Sequence, residues 1–391
     1  MSAAETAAET SPARSRIASL DVLRGIAILG TFASNAWLFA VPGGALVWFA
    51  GGLGPQDPVE AGLRLLSNGK FLALLTLLFG VGLELQYRAA VRRGNPWPGR
   101  YPLRALILFA EGLVHYLLVF EFDVLMGYAI TSVLVAYLVG RSDSAVRLWM
   151  RTVGAIFVGM VLVLTALLVL TPDGPAQPLA VDPAATASWT AQVADRVQYF
   201  LLFRIEIVLI VPSATVLFLV GSRLLRAGAF ADTEVGAGIR KRLMIIGLGV
   251  AFPLNVLTTF GGADWFLVDR YLLPPLVALG LLGLVTSIVV RSRRELGPMR
   301  RGLAAVGRTA LSCYVLQNVL AGALCYGWGL GLAARFADAR PWWVLGLWAG
   351  VCAVLVVAAS LWLRRFDRGP LELVMHRLYA PRRASVAAEK G

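Results

Sequence analysis

Ten runs of predominantly apolar residues, between 15 and 28 residues long, divide this chain and dominate what it can fold into. They fall at about Ile26 to Val47, Phe71 to Leu85, Leu103 to Phe120, Val124 to Val139, Val153 to Leu170, Tyr199 to Val220, Leu243 to Phe260, Tyr271 to Val290, Leu303 to Leu330 and Trp342 to Leu363. About 20 apolar residues in a helix cross the ~30 Å hydrocarbon core of a bilayer. The runs are continuously apolar, without the two-residue alternation of membrane barrels, so they predict helices rather than strands. The expected fold class is therefore all-α, a polytopic membrane protein of about ten spans. The ninth run is long enough to begin as an interfacial helix, and the first ends in a re-entrant piece after Pro42-Gly43-Gly44.

Composition agrees. Of 391 residues 58% are hydrophobic and 15% charged, where soluble domains carry about a quarter charged residues. The net charge of +13 would suggest nucleic acid in a soluble protein, but its placement points to topology. With ten spans, alternate loops share a side. One side collects Arg14, Arg16 and Arg24, the loops Arg88–Arg104, Arg141–Arg151, Arg223–Arg242 and Arg291–Arg308, and the tail from Arg364, which together hold 29 of the 36 Lys and Arg. The positive-inside rule places that side, with both termini, in the cytoplasm. Residues 1–18 read as a disordered tail, 19–365 as the transmembrane domain and 366–391 as a basic cytoplasmic tail. No nucleic-acid partner is expected; the bilayer and a small-molecule, glycan or lipid acceptor are, with a homodimer left open. Cys313, Cys325 and Cys352 lie in apolar runs without metal-ligand spacing, so neither a metal site nor a disulfide framework is expected.

Ionisable residues inside a bilayer are costly, and each is a functional candidate. His115, one of two histidines, lies eleven residues beyond Arg104, about 17 Å along a helix and near the midplane. Glu111 is one turn below it, and Asp123 follows in the next turn region. Asn35, Asn255, Gln317 and Asn318 reach comparable depths on three other spans. Such a layer would line a reaction chamber or a substrate path, with His115 the one group able to titrate near neutral pH. The plainer alternative is that the amides tie helices together, at about 0.6 kcal/mol per bond. Asp21 and Arg24 share a helix face at the cytoplasmic end, either as a local ion pair or with Arg24 receiving phosphates. Lys70 and Arg204 sit towards the outer face. Arg204 and Glu206, two apart, cannot face each other on a helix and need partners on other spans. His376 reads as part of a basic membrane-surface tail. No phosphate loop, HExxH or serine triad is present, which argues against nucleotide hydrolysis and zinc proteolysis.

The segment Leu20-Asp21-Val22-Leu23-Arg24-Gly25 resembles the LDxLRG opening of the YeiB-like family of bacterial multi-span proteins. Leu78-Phe79-Gly80-Val81-Gly82, Gly112-Leu113-Val114-His115, Asp123-Val124-Leu125 with Tyr128-Ala129, Gly307-Arg308 through Gln317, Tyr326-Gly327-Trp328-Gly329-Leu330 and Gly369-Pro370-Leu371-Glu372 resemble its later motifs, in order. That family is similar to the lysosomal heparan-α-glucosaminide acetyltransferases and to bacterial sugar O-acyltransferases. The resemblance implies a transmembrane acyltransferase, moving an acyl group from cytoplasmic acyl-CoA, such as acetyl-CoA, to an outer acceptor, with no bound cofactor. The lysosomal enzymes carry their catalytic histidine in the first non-cytoplasmic loop; residues 37–68 here contain none, so His115 would serve instead. The expected site is then His115 as base, oriented by Glu111 or Asp123, with Asp21, Arg24, Asn35, Lys70, Arg204 and Gln317 binding substrate. A transporter or exporter of a small metabolite or lipid is the alternative, with His115 titrating during transport.

Overall fold

The computed structural model describes residues 12–50, 57–170, 186–292 and 297–379. Most of the expected N-terminal tail, before Pro12, residues 171–185 and the last twelve residues of the basic tail lie outside them. The chain forms α1 (Pro12–Phe39), α2 (Gly44–Ala50), α3 (Pro58–Leu65), α4 (Lys70–Arg92), α5 (Tyr101–Leu118), α6 (Leu125–Val139), α7 (Asp143–Leu170), α8 (Trp189–Gln198) and α9 (Phe200–Arg204). There follow α10 (Ile207–Arg226), α11 (Glu234–Met244), α12 (Phe252–Phe260), α13 (Leu273–Arg291), α14 (Pro298–Arg308), α15 (Ala310–Cys325), α16 (Leu332–Arg335), α17 (Trp342–Trp362) and α18 (Pro370–Tyr379). No strand occurs among the described residues. The protein is all-α, as the apolar runs require.

Eight helical segments are long and apolar enough to cross a membrane, and two shorter apolar helices, α6 and α15, stand at the fourth and ninth predicted runs. The ten predicted runs are thus all helical. At 15 and 16 residues the two short helices span only about 23 Å, less than the ~30 Å hydrocarbon core. Their lengths have local causes. The ninth run divides at Thr309 into α14 and α15, and α6 begins at a buried turn, Phe120–Val124. The first run ends as expected: α1 stops at Phe39, Gly43 and Gly44 take positive φ, and α2 starts as a separate short helix.

Helices α1, α4, α10 and α13 form the centre of the bundle, while α7 and the α11–α12 segment are largely exposed and face lipid. With lipid as apolar as the core, helices associate by close packing of small residues. A Cβ at Gly25 of α1 would collide with the Leu303 carbonyl of α14, and one at Gly307 of α14 with the Asp21 carbonyl of α1. Gly80 of α4 and Gly221 of α10 make the same reciprocal pair, against Phe218 and Leu77. These two glycine-lined crossings bring α14 against α1 and α10 against α4. Part of the basic tail is also built into the bundle, because α18 folds back onto α5 and α15.

Candidate functional site

His115 lies in the last turn of α5 and is 2% exposed. Helix α5 stops at Leu118, and the chain folds back so that Asp123 meets the imidazole: Nδ1 is 3.0 Å from Asp123 Oδ1. The other carboxylate oxygen of Asp123 accepts from the Met126 amide at 3.2 Å, at the start of α6. His115 Nε2 is 3.2 Å from Asn318 Nδ2 of α15. With Nδ1–H donated to the carboxylate, Nε2 accepts from the amide. Asn318 Oδ1 in turn accepts from Asn35 of α1 at 3.2 Å. Three spans therefore meet in one string: Asp123, His115, Asn318, Asn35.

Two arginines hold the turn that presents Asp123. Arg204 donates to the carbonyls of Asp123, at 3.0 Å, and Glu121, and its guanidinium lies 4.2 Å from the Tyr116 ring centroid. Arg196 of α8, 1% exposed, donates to the Glu121 carboxylate at 3.0 and 3.1 Å and to the Leu117 and Val119 carbonyls. The turn's orphan carbonyls are thus satisfied by charge, a requirement for irregular backbone away from water. Of the two carboxylates expected to orient His115, only Asp123 does so. Glu111 makes no bond to the ring, and its buried Oε1 has no hydrogen-bond partner among the described residues.

Towards the arginine-rich end a cavity of about 420 Å³ opens among α1, α4, α5, α14, α15 and α18. Its polar lining includes Arg24, Gln86, Arg104, Arg308 and Glu372, and its walls are apolar, with Ile28, Leu78, Phe79 and Leu108. Arg24 pairs with Asp21 at 3.2 Å, as its spacing of three allows. Arg104 donates to Gln86 and stands 5.7 Å from the Tyr379 ring centroid; Arg308 donates to the Asp367 carbonyl at 3.1 Å. Neither has an acidic partner among the described ion pairs. Glu372 of α18 accepts from the Leu311 amide at 2.8 Å and from the Ser312 hydroxyl at 2.5 Å, capping α15. Tyr314 also lines this cavity, and its ring centroid lies 5.1 Å from that of His115. The histidine stands behind Tyr314, one ring away from the cavity.

The remaining predicted residues lie elsewhere. Asn255 does not join the His115 string: it donates to Asp269 at 2.7 Å, in an outer cluster where Asn68 donates to Asp269 at 2.9 Å and Arg270 to Glu206 at 3.4 Å. Depth along a helix does not specify which neighbour a side chain faces, and Asn255 faces Asp269 in the helical turn that precedes α13. Glu206 and Arg204 find partners on other segments, as their spacing demands. Lys70, 2% exposed, belongs to the outer cluster too, with Nζ 3.4 Å from the Asn68 carbonyl. Arg204 is buried against backbone, not open to a substrate. Gln317 is fully buried with neither amide atom hydrogen-bonded among the described residues, and it lines none of the cavities described. Gln86, Arg104, Arg308, Tyr314 and Glu372 are the site residues that sequence reasoning passed over. Three of them were visible as motif members, Arg308, Tyr314 and Glu372, but only the convergence of four helices and α18 puts them around one space.

Fold and site together define a class: a multi-pass all-α membrane protein with a buried histidine–aspartate pair behind a cationic cavity. Residues 224–381 match the family described as "Protein of unknown function (DUF418)", a stretch that includes Arg308, Tyr314, Asn318 and Glu372. Over almost their whole lengths the chain is similar to the uncharacterized protein YeiB of Escherichia coli (strain K12), 27% identical over 396 residues, 93% of this chain and 96% of that one. It is also similar to the uncharacterized protein YxaH of Bacillus subtilis (strain 168), 24% identical over 384 residues, 91% and 92% of the two chains. The C-terminal part of the chain thus matches that family, and nearly its whole length is similar to these two YeiB-like proteins. No solved structure matches it.

Proposed function

We propose that the protein transfers an acyl group from a cytoplasmic acyl-CoA to a hydroxyl or amine acceptor. The observation that carries this reading is the cavity: a rim of guanidiniums, two of which form no ion pair among the described residues, above apolar walls that end on Tyr314 and, behind it, His115. Guanidinium recognises phosphate through paired donors, so Arg24, Arg104 and Arg308 suit the phosphates of the donor, and the apolar walls suit its thioester arm. His115, oriented by Asp123 through Nδ1, acts as general base at Nε2. The acceptor oxygen or nitrogen attacks the thioester carbonyl as its proton passes to Nε2. The tetrahedral intermediate expels the CoA thiolate, which regains that proton and leaves as the free thiol. Because Nε2 is held by Asn318 in the resting arrangement, the acceptor must displace that amide. Asn318 and Asn35 then stand near enough to stabilise the developing oxyanion.

Acyl-CoA binding and slow CoA release by protein in nanodiscs test this. Arg24→Ala is expected to weaken binding, and His115→Ala to abolish release while binding persists. No binding of any acyl-CoA, or equal release by His115→Ala, sinks the reading.

A second reading, transport, is favoured by one observation. The string from His115 through Asn318 to Asn35 continues to a small void of about 20 Å³ lined by Ser34, Asn35, Asn68 and Arg270, so polar groups run from the cavity to the outer cluster. Flux of a solute into proteoliposomes without CoA consumption would favour it.

A further inference from the structure

Between α15 and α17 lies an apolar groove of about 460 Å³, lined by Leu320, Leu324, Trp343, Leu347 and Val354 among others. The cause is local. The lower half of α17 is covered by α14, where Gly302 packs against Val356, but α14 ends at Arg308. Above it, Gly346 and Gly350 of α17 have open space where a Cβ would stand. At the outer end Leu332 of α16 and Phe336 line the groove from a segment that does not cross the membrane.

We propose that this groove seats one acyl chain of an outer-leaflet glycerophospholipid with an anionic headgroup. The dimensions commit it to that occupant. Trp343 and Val354, at its two ends, are eleven residues apart, about 17 Å of helix, against about 15 Å for half a hydrocarbon core. The groove starts at an interface and stops near the midplane, as one leaflet's chain does. A spanning helix of a second copy is about 10–12 Å wide and continues across the bilayer, past the depth at which the groove stops. The headgroup has a partner at the open end. Arg335 is exposed and forms no ion pair among the described residues, Asp338 included, so it offers a phosphate its donors at the level where the headgroup lies. Trp342 and Trp343 supply the aromatic residues of a membrane–water interface. The inference is independent of the acyl-transfer reading.

The test uses the full chain in nanodiscs containing phosphatidylglycerol with a photo-reactive group in one acyl chain, and maps labelled peptides. Labelling is expected to concentrate on α15 and α17 above the level of exposed α7. The double variant Gly346→Leu/Gly350→Leu fills open space without displacing a neighbour, and is expected to lower that labelling roughly tenfold, a change of about 1.4 kcal/mol, with α7 unchanged. Val354→Trp, which closes the deep end, is expected to lower it in the same direction. Arg335→Gln is expected to erase the preference for phosphatidylglycerol over phosphatidylcholine. Equal labelling of α7 and α17, or labelling unaffected by the glycine variants, overturns the proposal. So does disulfide capture of a dimer by Gly346→Cys, which would assign the face to a second copy.

Discussion

The two polar clusters of this protein are built in opposite ways. In the outer cluster these charges each have a polar partner: Glu60 has Arg340 at 2.7 Å and Arg64 at 3.5 Å, Arg270 has Glu206 at 3.4 Å, Asp269 has the Asn68 and Asn255 amides, and Lys70 has the Asn68 carbonyl. The voids beside it are about 20 and 50 Å³, enough for a few waters. At the arginine-rich end the cavity is about 420 Å³, and Arg104 and Arg308 form no ion pair among the described residues. A saturated network in a low-dielectric medium fixes helix positions and leaves nothing for a ligand to gain. An unsaturated one leaves attraction to be claimed by an anion. That contrast, more than the number of polar residues, separates scaffold from site.

Four substitutions break or sharpen it. The largest effect is expected from Arg196→Ala: it strips the Glu121 carboxylate and two carbonyls of their donor in a buried place, and removing one partner of a buried pair costs about 3–5 kcal/mol. Denaturation of the detergent-solubilised protein should show that loss, and no loss would mean that water replaces the guanidinium. Gly221→Val, at the α4–α10 crossing, is expected to cost about 1–3 kcal/mol by overpacking, read by the same assay. Glu372→Ala removes the cap of α15, expected to cost about 1 kcal/mol; hydrogen exchange should rise over 370–379, and unchanged exchange would show that α18 is held by its apolar side alone. Arg104→Gln is expected to change stability by no more than about 0.5 kcal/mol while weakening anion binding about tenfold, since a charge-assisted hydrogen bond is worth about 1.5–3 kcal/mol. A stability loss as large as that of Arg196→Ala would place Arg104 with the scaffold and undo the comparison.

The apolar runs by themselves determined the fold class, the ten helices and their approximate ends, because a segment of about 20 apolar residues has one low-energy arrangement in a bilayer and the backbone must satisfy itself within it. The spacing of three also put Asp21 and Arg24 on one helix face, leaving open whether they pair, and the spacing of two sent Arg204 and Glu206 to different partners. What the runs left undetermined was helical phase. In a run apolar on every side, nothing local says which way His115, Asn255, Gln317 or Lys70 points. Only the tertiary structure chose Asp123 over Glu111 for His115, sent Asn255 to Asp269, left Gln317 without a partner and gathered Gln86, Arg104, Arg308 and Glu372 around one cavity. Those choices rest on glycine crossings and on one turn held by two arginines. Both are contacts between segments far apart in the chain, which no local pattern encodes.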